Sequence, residues 1–426
     1  MKRDEIERTI EAVWRMESAK IIAKLARMLR NVGLAEELAQ DAWVAALEKW
    51  TQTGIPDNPG AWLMATAKNR AIDQLRHRQL LERKNAIMSH DPDLLGHQDL
   101  AGDPAAAAED VSDDLLRLIF IACHPVLSME GRVSLTLRLL GGLTPAEIAR
   151  AFLTSESAIQ QRIVRAKRTL SEARVPFEVP GPEERAERLD SVLEVIYLIF
   201  NEGYAATAGE EWIRPALCDE ALRVGRVLAE LAPDEPEVHG LVALMELQAS
   251  RIPARVKASG EPILLLQQNR SLWDQLLIRR GLASLVRAQS HDRPLGPYCL
   301  QGAIAACHAR ARTADETDWP GIVALYDALD ALHPSPIVTL NRAVAVSMAY
   351  GPAAALEIVD TLRNESRLRE YHLLPSVRGD LLERLGRIDE ARAEFSHAAS
   401  LAGNARERDL LLSRMAACDP HANRIN

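Results

Sequence analysis

The sequence LTPAEIARAFLTSESAIQQRIVRAKRTL, residues 143–170, predicts two short helices separated by a break. Thr144 can cap the first helix, with Pro145 as its first residue and Glu147 completing a Thr-x-x-Glu capping box. The helical pattern then stops, and Ser155 can cap a second helix that runs to the end of the stretch. We therefore expect a pair of helices joined by a tight turn.

The second of these helices has one apolar and one polar face. Residues at helical spacing form the apolar face: Ile159, Ile163, Ala166 and Leu170. The other face carries hydroxyl, amide and guanidinium groups: Ser157, Gln160, Gln161, Arg165 and Arg168. Because such groups suit base edges and phosphates, the pair is typical of a DNA-binding helix-turn-helix. The alternative is an ordinary helical hairpin with a solvated face.

Length and composition favour an all-α protein of two to four domains. Hydrophobic residues make up 47% of the 426 residues, but aromatic residues only 4%. No apolar run approaches the roughly 18 residues of a membrane span. The N-terminus MKRDEIERTIEAVW lacks the pattern of a signal peptide. We therefore expect a soluble, cytoplasmic protein with no membrane partner.

The five cysteines are scattered and favour neither a disulfide framework nor a zinc site. An adjacent pair, Cys123–His124, could belong to a metal or nucleophilic site, but no second ligand pair accompanies it. We interpret the pair as structural. We expect no metal, no cofactor and no catalytic residue in this chain.

The net charge of −9 is distributed unevenly along the chain. Residues 1–84 carry +3 and residues 115–182 carry +4, whereas residues 85–114 and 183–426 carry −8 each. Two mildly basic segments thus flank an acidic one, and a large acidic domain follows. The acidity belongs to parts of the chain that need not touch phosphate, so it does not argue against binding of nucleic acid.

The first basic segment predicts a three-helix module. Helices are expected over residues 17–31 and 35–50, and Asn58 can cap a third. Residues 51–57, TQTGIPD, form the loop before it. The second helix exposes an acidic and amide patch: Glu36, Glu37, Gln40 and Asp41. The simpler explanation is that acidic residues in the first turn of a helix interact favourably with the helix dipole.

The third helix, AWLMATAKNRAIDQLRHRQ, combines an apolar stripe with basic side chains. Asn69, Asp73 and Arg76 lie close to that stripe, which is unusual for a set that only faces solvent. Trp62 belongs to the stripe, and we expect it in the core.

Together, these motifs resemble the bacterial RNA polymerase sigma factors of the extracytoplasmic-function (ECF) class. Two segments resemble conserved region two of that family: EELAQDAW and NPGAWLMATAKNRAIDQLR. The helix-turn-helix ending QQRIVRAKRTL resembles conserved region four. The motifs occur in the family's order and spacing and cover residues from about 10 to 175. The resemblance implies a protein that directs core RNA polymerase to promoter DNA.

The resemblance to region two implies two sets of binding residues. In the family, positions of the second helix bind the coiled coil of the polymerase's largest subunit; here they are Glu37, Gln40 and Asp41. The loop 51–57 would capture a base flipped out of the −10 element, a device that suits melted DNA. The third helix would hold that strand through Asn69, Arg70, Asp73 and Arg76.

The resemblance to region four implies that the second helix of the helix-turn-helix enters the major groove of the −35 element. The residues that would face this DNA are Ser155, Ser157, Gln160, Gln161, Arg165 and Arg168. Many family members have Thr and Lys where this chain has Ala158 and Gln160, so the resemblance does not define the promoter sequence.

An acidic segment, residues 85–114, separates the two modules. Its composition, with no Lys or Arg, suits a flexible linker. In the family the equivalent linker threads the polymerase cleft near the path of the RNA, where negative charge can imitate nucleic acid. The alternative is an inert spacer.

Beyond the boundary PFEVPGP, residues 176–182, the chain continues for more than half its length. Residues 183–426 predict helices throughout. Two helix pairs near residues 336–402 have linking glycines, Gly351 and Gly386, that are 35 residues apart. That spacing is close to the 34-residue tetratricopeptide (TPR) period, so we expect TPR-like repeats.

The whole layout resembles the ECF subgroup with a fused TPR-like C-terminal domain. IYLIFNEGYAAT and RLIFIACHPVLS look characteristic of it. In that subgroup the extension is thought to control or support activity in place of a separate anti-sigma factor, and a small DGPF-type protein is a frequent genomic companion. The resemblance therefore implies a protein or small-ligand partner for this domain, with a DGPF-type protein as a candidate.

The polar residues of the extension show no catalytic pattern. The best candidates are Glu202, Tyr204, Glu210, Glu211, Trp212 and His239. Nothing sets them at a catalytic spacing, and no phosphate loop, metal box or nucleophile elbow occurs. We expect them to pack, or to line a groove for a peptide or small ligand.

The sequence thus predicts an all-α protein of three parts. Residues 1–84 form the region-two module, residues 115–176 the region-four module behind the acidic linker, and residues 183–426 the helical-repeat domain. The expected function is that of a sigma factor that does no covalent chemistry. Two alternatives stay open: a stand-alone helix-turn-helix regulator with a protein- or ligand-binding repeat domain, and a catalytic C-terminal domain tethered to DNA.

Overall fold

The computed structural model describes residues 3–89, 109–152, 154–207, 209–257, 259–290 and 293–418. These residues form eighteen α-helices, several 3-10 turns and no β-strand, which confirms the predicted all-α class. The chain divides into two compact units, Met1–Ile196 and Tyr197–Asn426. None of the described helices is both long enough and apolar enough to cross a membrane. Most of the predicted acidic linker, residues 90–108, lies outside the described residues.

The first seven helices lie in the first unit, and the eighth begins in the first unit and ends in the second. They are α1 (Arg3–Leu29), α2 (Val32–Thr53), α3 (Pro59–Ser89), α4 (Glu109–Ala122), α5 (Met129–Leu139), α6 (Pro145–Ala151), α7 (Glu156–Glu172) and α8 (Pro182–Tyr204). Side-chain caps fix where α2 and α3 begin. Asn31 accepts a hydrogen bond from the Leu34 N–H, and Asn58 accepts one from the Ala61 N–H, both at 3.0 Å.

Helix α2 is longer than the sequence predicts. It continues through the first three residues of the predicted loop, where the hydroxyl of Thr51 donates to the Leu47 carbonyl at 2.8 Å. Gly54, with φ 86°, then ends the helix in the left-handed region that favours glycine. The loop before α3 is therefore shorter than predicted, because side-chain hydrogen bonds extend the helix into polar residues.

The apolar faces of α1, α2 and α3 form the core of the first module. Ile10 and Ile21 of α1, Trp50 of α2 and Leu63 of α3 are at most 1% exposed. Trp62 packs edge-on against Trp50 with ring centroids 5.3 Å apart, although its own side chain is only half-buried. Each fully buried large side chain stabilises the fold by roughly 1.5–3 kcal/mol.

The second unit is a succession of helical hairpins. Its helices after α8 are α9 (Pro215–Leu231), α10 (Pro236–Ala249), α11 (Gln275–Gln289), α12 (Pro297–Arg310), α13 (Trp319–Leu332), α14 (Pro336–Ala349), α15 (Pro352–Thr361), α16 (Leu373–Arg384), α17 (Ile388–Leu401) and α18 (Ala405–Ala417). The two predicted helix pairs correspond to α14–α15 and α16–α17. Gly351 and Gly386 link them with φ values of 97° and 74°. Their assignment as TPR-like repeats stays a prediction.

Glycines allow close packing between helices of the second unit. A Cβ atom at Gly240 would lie 2.6 Å from the backbone nitrogen of Cys299, where α10 meets α12. A Cβ atom at Gly379 would lie 2.8 Å from the ring of Phe395, which is fully buried between α16 and α17. These positions leave no room for even a methyl group.

We therefore expect Gly379→Ala to destabilise the second unit by roughly 1–3 kcal/mol, because the buried Phe395 ring must move. Calorimetric unfolding of the full chain measures this as a lower transition temperature. Gly181→Ala is the matched control, since no atom lies within 4 Å of its added Cβ. Equal transition temperatures for the two variants would contradict the packing at Gly379.

Candidate nucleic-acid and protein interfaces

The helix-turn-helix forms as the sequence predicts. The Glu147 N–H donates to the Thr144 hydroxyl at 3.2 Å, and the Thr144 N–H donates to the Glu147 carboxylate at 2.8 Å, which completes the capping box. Ser155 caps α7 by accepting from the Ala158 N–H at 3.2 Å. The predicted apolar face is buried: Ile159, Ile163, Ala166 and Leu170.

The six residues predicted to face the −35 element are all exposed on or before α7: Ser155, Ser157, Gln160, Gln161, Arg165 and Arg168. Four of them are engaged with neighbouring side chains. The hydroxyls of Ser155 and Ser157 lie 3.1 Å apart, Gln160 donates to Glu156 at 3.0 Å, and Arg168 pairs with Glu172 at 2.6 Å. Among the described residues, Arg165 has no acidic partner within ion-pair distance. Exposed pairs of this kind contribute little to stability, so these side chains can exchange partners readily.

The residues predicted to hold the −10 strand lie along α3. Asn69, Asp73 and Arg76 are exposed, with Arg76 and Asp73 3.6 Å apart. Arg70 is half-buried and pairs with Asp41 of α2 at 3.2 Å. The structure thereby brings one predicted −10 residue next to one predicted polymerase-binding residue.

The predicted polymerase-binding patch on α2 is only partly exposed. Glu37 and Asp41 are exposed, while Gln40 is half-buried and donates to the Glu36 carboxylate at 2.5 Å. Glu36 itself is 3% exposed, so its predicted place in the exposed patch is wrong. It turns inward, toward cations that are distant in the sequence.

Glu36 joins α2 to the region-four module. Its carboxylate pairs with Arg138 of α5 at 2.6 Å and with Lys167 of α7. Buried carboxylates are stable only when such partners replace water. The sequence gives no sign of this pairing, because the partners lie about a hundred residues further along the chain.

A second buried acid joins α1 to α4, a helix that begins inside the predicted acidic linker. Asp114 of α4 pairs with Arg117 at 2.7 Å, and it also lies 3.8 Å from Lys24 and 3.6 Å from Arg27 of α1. Burial raises the pKa of Asp114, and the three cations oppose that rise. A further exposed pair, Arg15 with Glu147 at 2.7 Å, connects α1 to the capping box of α6.

Two of the grooves in the described part of the first unit include residues near the predicted interfaces. One of about 1310 Å³ is lined by both modules and includes Gln40, Trp43 and Thr144. The other, of about 800 Å³, is lined by basic side chains that can hold phosphate groups: Arg27, Arg30, Arg117, Lys167 and Arg174. Arg30 and Arg174 have φ values of 49° and 50°, a conformation that usually favours glycine.

The Cys123–His124 pair has the environment of a structural pair. Cys123 is buried with its sulfur 3.4 Å from the Thr136 hydroxyl, and burial raises its pKa to about 11. Burial also lowers the pKa of His124 to about 4, and its Nδ1 accepts from the Val126 N–H at 3.1 Å. No cluster of His, Cys, Asp or Glu in the described part of the chain could hold a metal ion.

The polar residues singled out in the second unit have packing partners. Glu202 pairs with Arg214, and the Trp212 ring N–H donates to Glu407 at 3.3 Å. Tyr204 stacks on Phe200 at 5.8 Å, and His239 bonds the Pro233 carbonyl at 2.7 Å. Glu210 and Glu211 are exposed. The structure does not bring these six residues together as one group.

Comparison with known proteins agrees with the two modules. Residues 14–80 match Sigma-70 region 2, and residues 117–170 match Sigma-70 region 4. Residues 188–289 match a family of unknown function, DUF6596. The first unit therefore has the two conserved parts of a sigma factor, and the second unit shares part of its sequence with a family to which no function is attached.

Several relatives resemble the chain over longer stretches. The ECF RNA polymerase sigma factor SigK of Mycobacterium ulcerans (strain Agy99) is 30% identical over 35% of this chain and 78% of its own length. A probable ECF RNA polymerase sigma factor, SigI of Mycobacterium tuberculosis, is 26% identical over 44% of this chain and 67% of its own. "Uncharacterized protein R00370" of Rhizobium meliloti (strain 1021) is 46% identical over 90% of this chain and 89% of its own.

The chain belongs to the ECF RNA polymerase sigma factor family. Proteins of this family are transcription initiation factors rather than enzymes, and their partners are core RNA polymerase and promoter DNA. The match to the Rhizobium meliloti protein extends well beyond the sigma regions, so that protein shares the C-terminal extension.

Because Glu36 neutralises two cations in a buried setting, we expect Glu36→Gln to destabilise the contact between α2, α5 and α7 by roughly 3 kcal/mol. Native-state hydrogen exchange would show this as faster exchange of amides in α5 and α7. Glu37→Gln changes an exposed side chain one residue away. It should alter the free energy of opening that hydrogen exchange reports by less than about 0.5 kcal/mol. Unchanged exchange in the Glu36 variant would refute the buried network.

Proposed function

We propose that this protein directs core RNA polymerase to promoters with defined −35 and −10 elements and helps to open the DNA. The observation that carries the proposal is α7, a capped helix with a buried apolar face and an exposed polar and basic face. Membership of the ECF family supports the same role. The assignment of particular residues to each element is part of the proposal.

The −35 element is assigned to the exposed face of α7. Gln161 and Arg165 are the strongest candidates for base contacts, since neither is engaged with a neighbouring side chain among the described residues. Guanidinium and amide groups can form paired hydrogen bonds to guanine and adenine in the major groove. Arg168 is better suited to a phosphate contact, because Glu172 holds it near the end of the helix.

The −10 strand and the polymerase are assigned to adjacent faces of the region-two module. Asn69, Asp73 and Arg76 on α3 offer hydrogen bonds to an unpaired strand, and Glu37 and Asp41 on α2 offer negative charge to the polymerase. The Asp41–Arg70 ion pair connects the two faces. This contact supports a coupling in which polymerase binding orients the helix that holds the strand.

The second unit is assigned a regulatory role. Its consecutive helical hairpins and the predicted TPR-like repeats support a surface that binds a protein or a small ligand, and a DGPF-type protein is one candidate partner. Helix α8 supports communication with the sigma module, because Ser191 in its middle donates to the Cys123 carbonyl at 2.7 Å and the same helix continues to Tyr204.

Run-off transcription with bacterial core polymerase on a genomic promoter library tests the proposal. We expect specific transcripts from the full chain, and a changed yield from a chain that ends at Tyr204 and so retains all of α8. If the full chain neither binds core polymerase nor yields a transcript, the stand-alone DNA-binding regulator becomes the better explanation.

We expect Arg165→Ala to weaken binding to the selected promoter by roughly 1–3 kcal/mol, because a paired contact with a base would be lost. Footprint titration of the polymerase complex measures this affinity and shows which base pairs lose protection. Arg363→Ala, an exposed change in the second unit, is the control. An unchanged affinity and footprint for the Arg165 variant would refute its assignment to the −35 element.

We also expect Asp41→Ala to reduce affinity for core polymerase about tenfold, because an exposed anionic contact would be lost. Glu48→Ala is matched to it, since Glu48 is an exposed acid on the same helix. Fluorescence titration of core polymerase with labelled full-length protein distinguishes the two. If both variants bind core polymerase with equal affinity, the assignment of the polymerase-binding site to this part of α2 is wrong.

A further inference from the structure

The second unit buries several arginine side chains, and they fall into two kinds. Among its described residues, four arginines are no more than 8% exposed: Arg214, Arg251, Arg255 and Arg378. Arg378 pairs with Asp360 at 2.8 Å and with Glu394 at 2.6 Å, and Arg214 pairs with Glu202. These two follow the general rule that a buried charge has a charged partner.

Arg251 and Arg255 do not follow that rule. Within the described part of the chain, neither has a carboxylate within ion-pair distance. Arg255 donates one hydrogen bond, from Nη2 to the Tyr204 carbonyl at 3.0 Å, while the side chain of Arg251 donates none to the described residues. The Nε atoms of both are buried without an acceptor.

Aromatic rings surround the two guanidinium groups. Arg255 lies between Tyr204 and Trp212, with its Cζ 3.7 Å and 4.3 Å from the ring centroids. The Cζ of Arg251 lies 5.8 Å from the Tyr204 ring and 5.9 Å from the Trp273 ring. Stacking on rings offsets part of the desolvation of a cation, but it accepts no hydrogen bonds in the guanidinium plane.

Further positive charge lies near Arg251, although the carboxylate of Glu316 acts on one of these cations, Arg270. Arg270 is half-buried, and its guanidinium is engaged by the carbonyls of His308 and Ala311 at 2.8 Å and 2.7 Å. Burial, with Arg251 and Arg270 nearby, lowers the pKa of His308 to about 3. Burial also lowers the pKa of Arg255, and Arg251 adds to that effect. The cluster is therefore cationic, with a histidine that stays neutral.

We propose that Arg251 and Arg255 form a binding site for a small oxyanion, the phosphate or carboxylate group of a ligand. An oxyanion supplies the negative charge and the acceptors that the described protein groups do not. The indole N–H of Trp273 adds a third buried donor without an acceptor. These three groups are donors, and the neutral His308, whose Nδ1 is also buried without a partner, can donate from that atom; this set matches an acceptor-only ligand.

The residual exposure of the site limits what can enter. Arg251 and Arg255 are 8% and 7% exposed, so only a few ligand atoms can reach the guanidinium groups. A free inorganic ion or the terminal group of a small metabolite fits this limit, whereas a DNA backbone does not. The site belongs to the second unit, and the inference does not depend on the sigma-factor role.

Thermal unfolding of the full chain tests the site, with inorganic phosphate and acetate as probes against sodium chloride at equal ionic strength. At ten times its Kd, a bound anion should raise the Tm by about 3–6 °C, and the Tm should keep rising with the logarithm of the anion concentration above the Kd. A response to phosphate alone assigns a phosphate group, and a response to acetate alone assigns a carboxylate. If neither phosphate nor acetate raises the Tm beyond the sodium chloride control, the proposal is overturned.

The substitution Arg251→Met distinguishes two roles for Arg251: binding an anion, or only packing against the aromatic rings. If Arg251 binds an anion, removing its unpaired charge should leave the Tm in chloride unchanged or higher, and the response to the probe should disappear. Arg251→Lys keeps the charge without the planar fork, so calorimetric titration should show affinity reduced at least about tenfold.

Arg378→Met is the matched control, because Arg378 is equally buried but paired. It should lower the Tm in chloride and preserve the response to the probe. If Arg251→Met instead lowers the Tm as Arg378→Met does, and the response to the probe survives, Arg251 is a packing residue and the proposal fails.

Discussion

The carboxylate of Glu36 is the contact on which the arrangement of the first unit depends. A buried carboxylate is costly unless cations and donors replace the water that it loses. Arg138 and Lys167 supply those cations from α5 and α7, and Gln40 supplies a donor from the next turn of α2. The position of α7 against the region-two module therefore follows from the charge balance at one side chain.

The same contact determines which face of α7 remains available. Lys167 and the apolar residues of α7 are directed toward the rest of the unit, so the exposed surface is the polar face that includes Gln161 and Arg165. Gln40, on the other side of the contact, is held half-buried by Glu36. A protein that bound α2 through Gln40 would compete with this hydrogen bond. Binding at α2 and packing of the region-four module are thus linked through shared groups.

Local features of the fold could be predicted from the sequence because their causes are local. The capping box of Thr144, the cap at Ser155 and the apolar face of α7 depend on residues within a few positions of one another. The end of α2 was predicted too early, since hydroxyl groups of Thr51 and Thr53 bond back to the helix. Glu36, Asp114 and Arg251 could not be predicted, because their burial and partners depend on tertiary packing. The polar face of α7 was predictable, but which of its residues are free of neighbours was not.

Burial determines the protonation of several titratable side chains in the second unit. Burial raises the pKa of Cys218 to about 12 and raises that of Cys299 further, so neither thiol ionises near neutral pH to act as a nucleophile. The histidine beside the arginine cluster is held neutral by the same burial and the same cations. A fold that pairs Arg378 with two carboxylates has acids available for its cations, yet Arg251 and Arg255 lie among aromatic rings. Since an unpaired buried charge weakens the fold, its presence in a unit whose other two buried arginines are paired is better explained by a ligand than by packing.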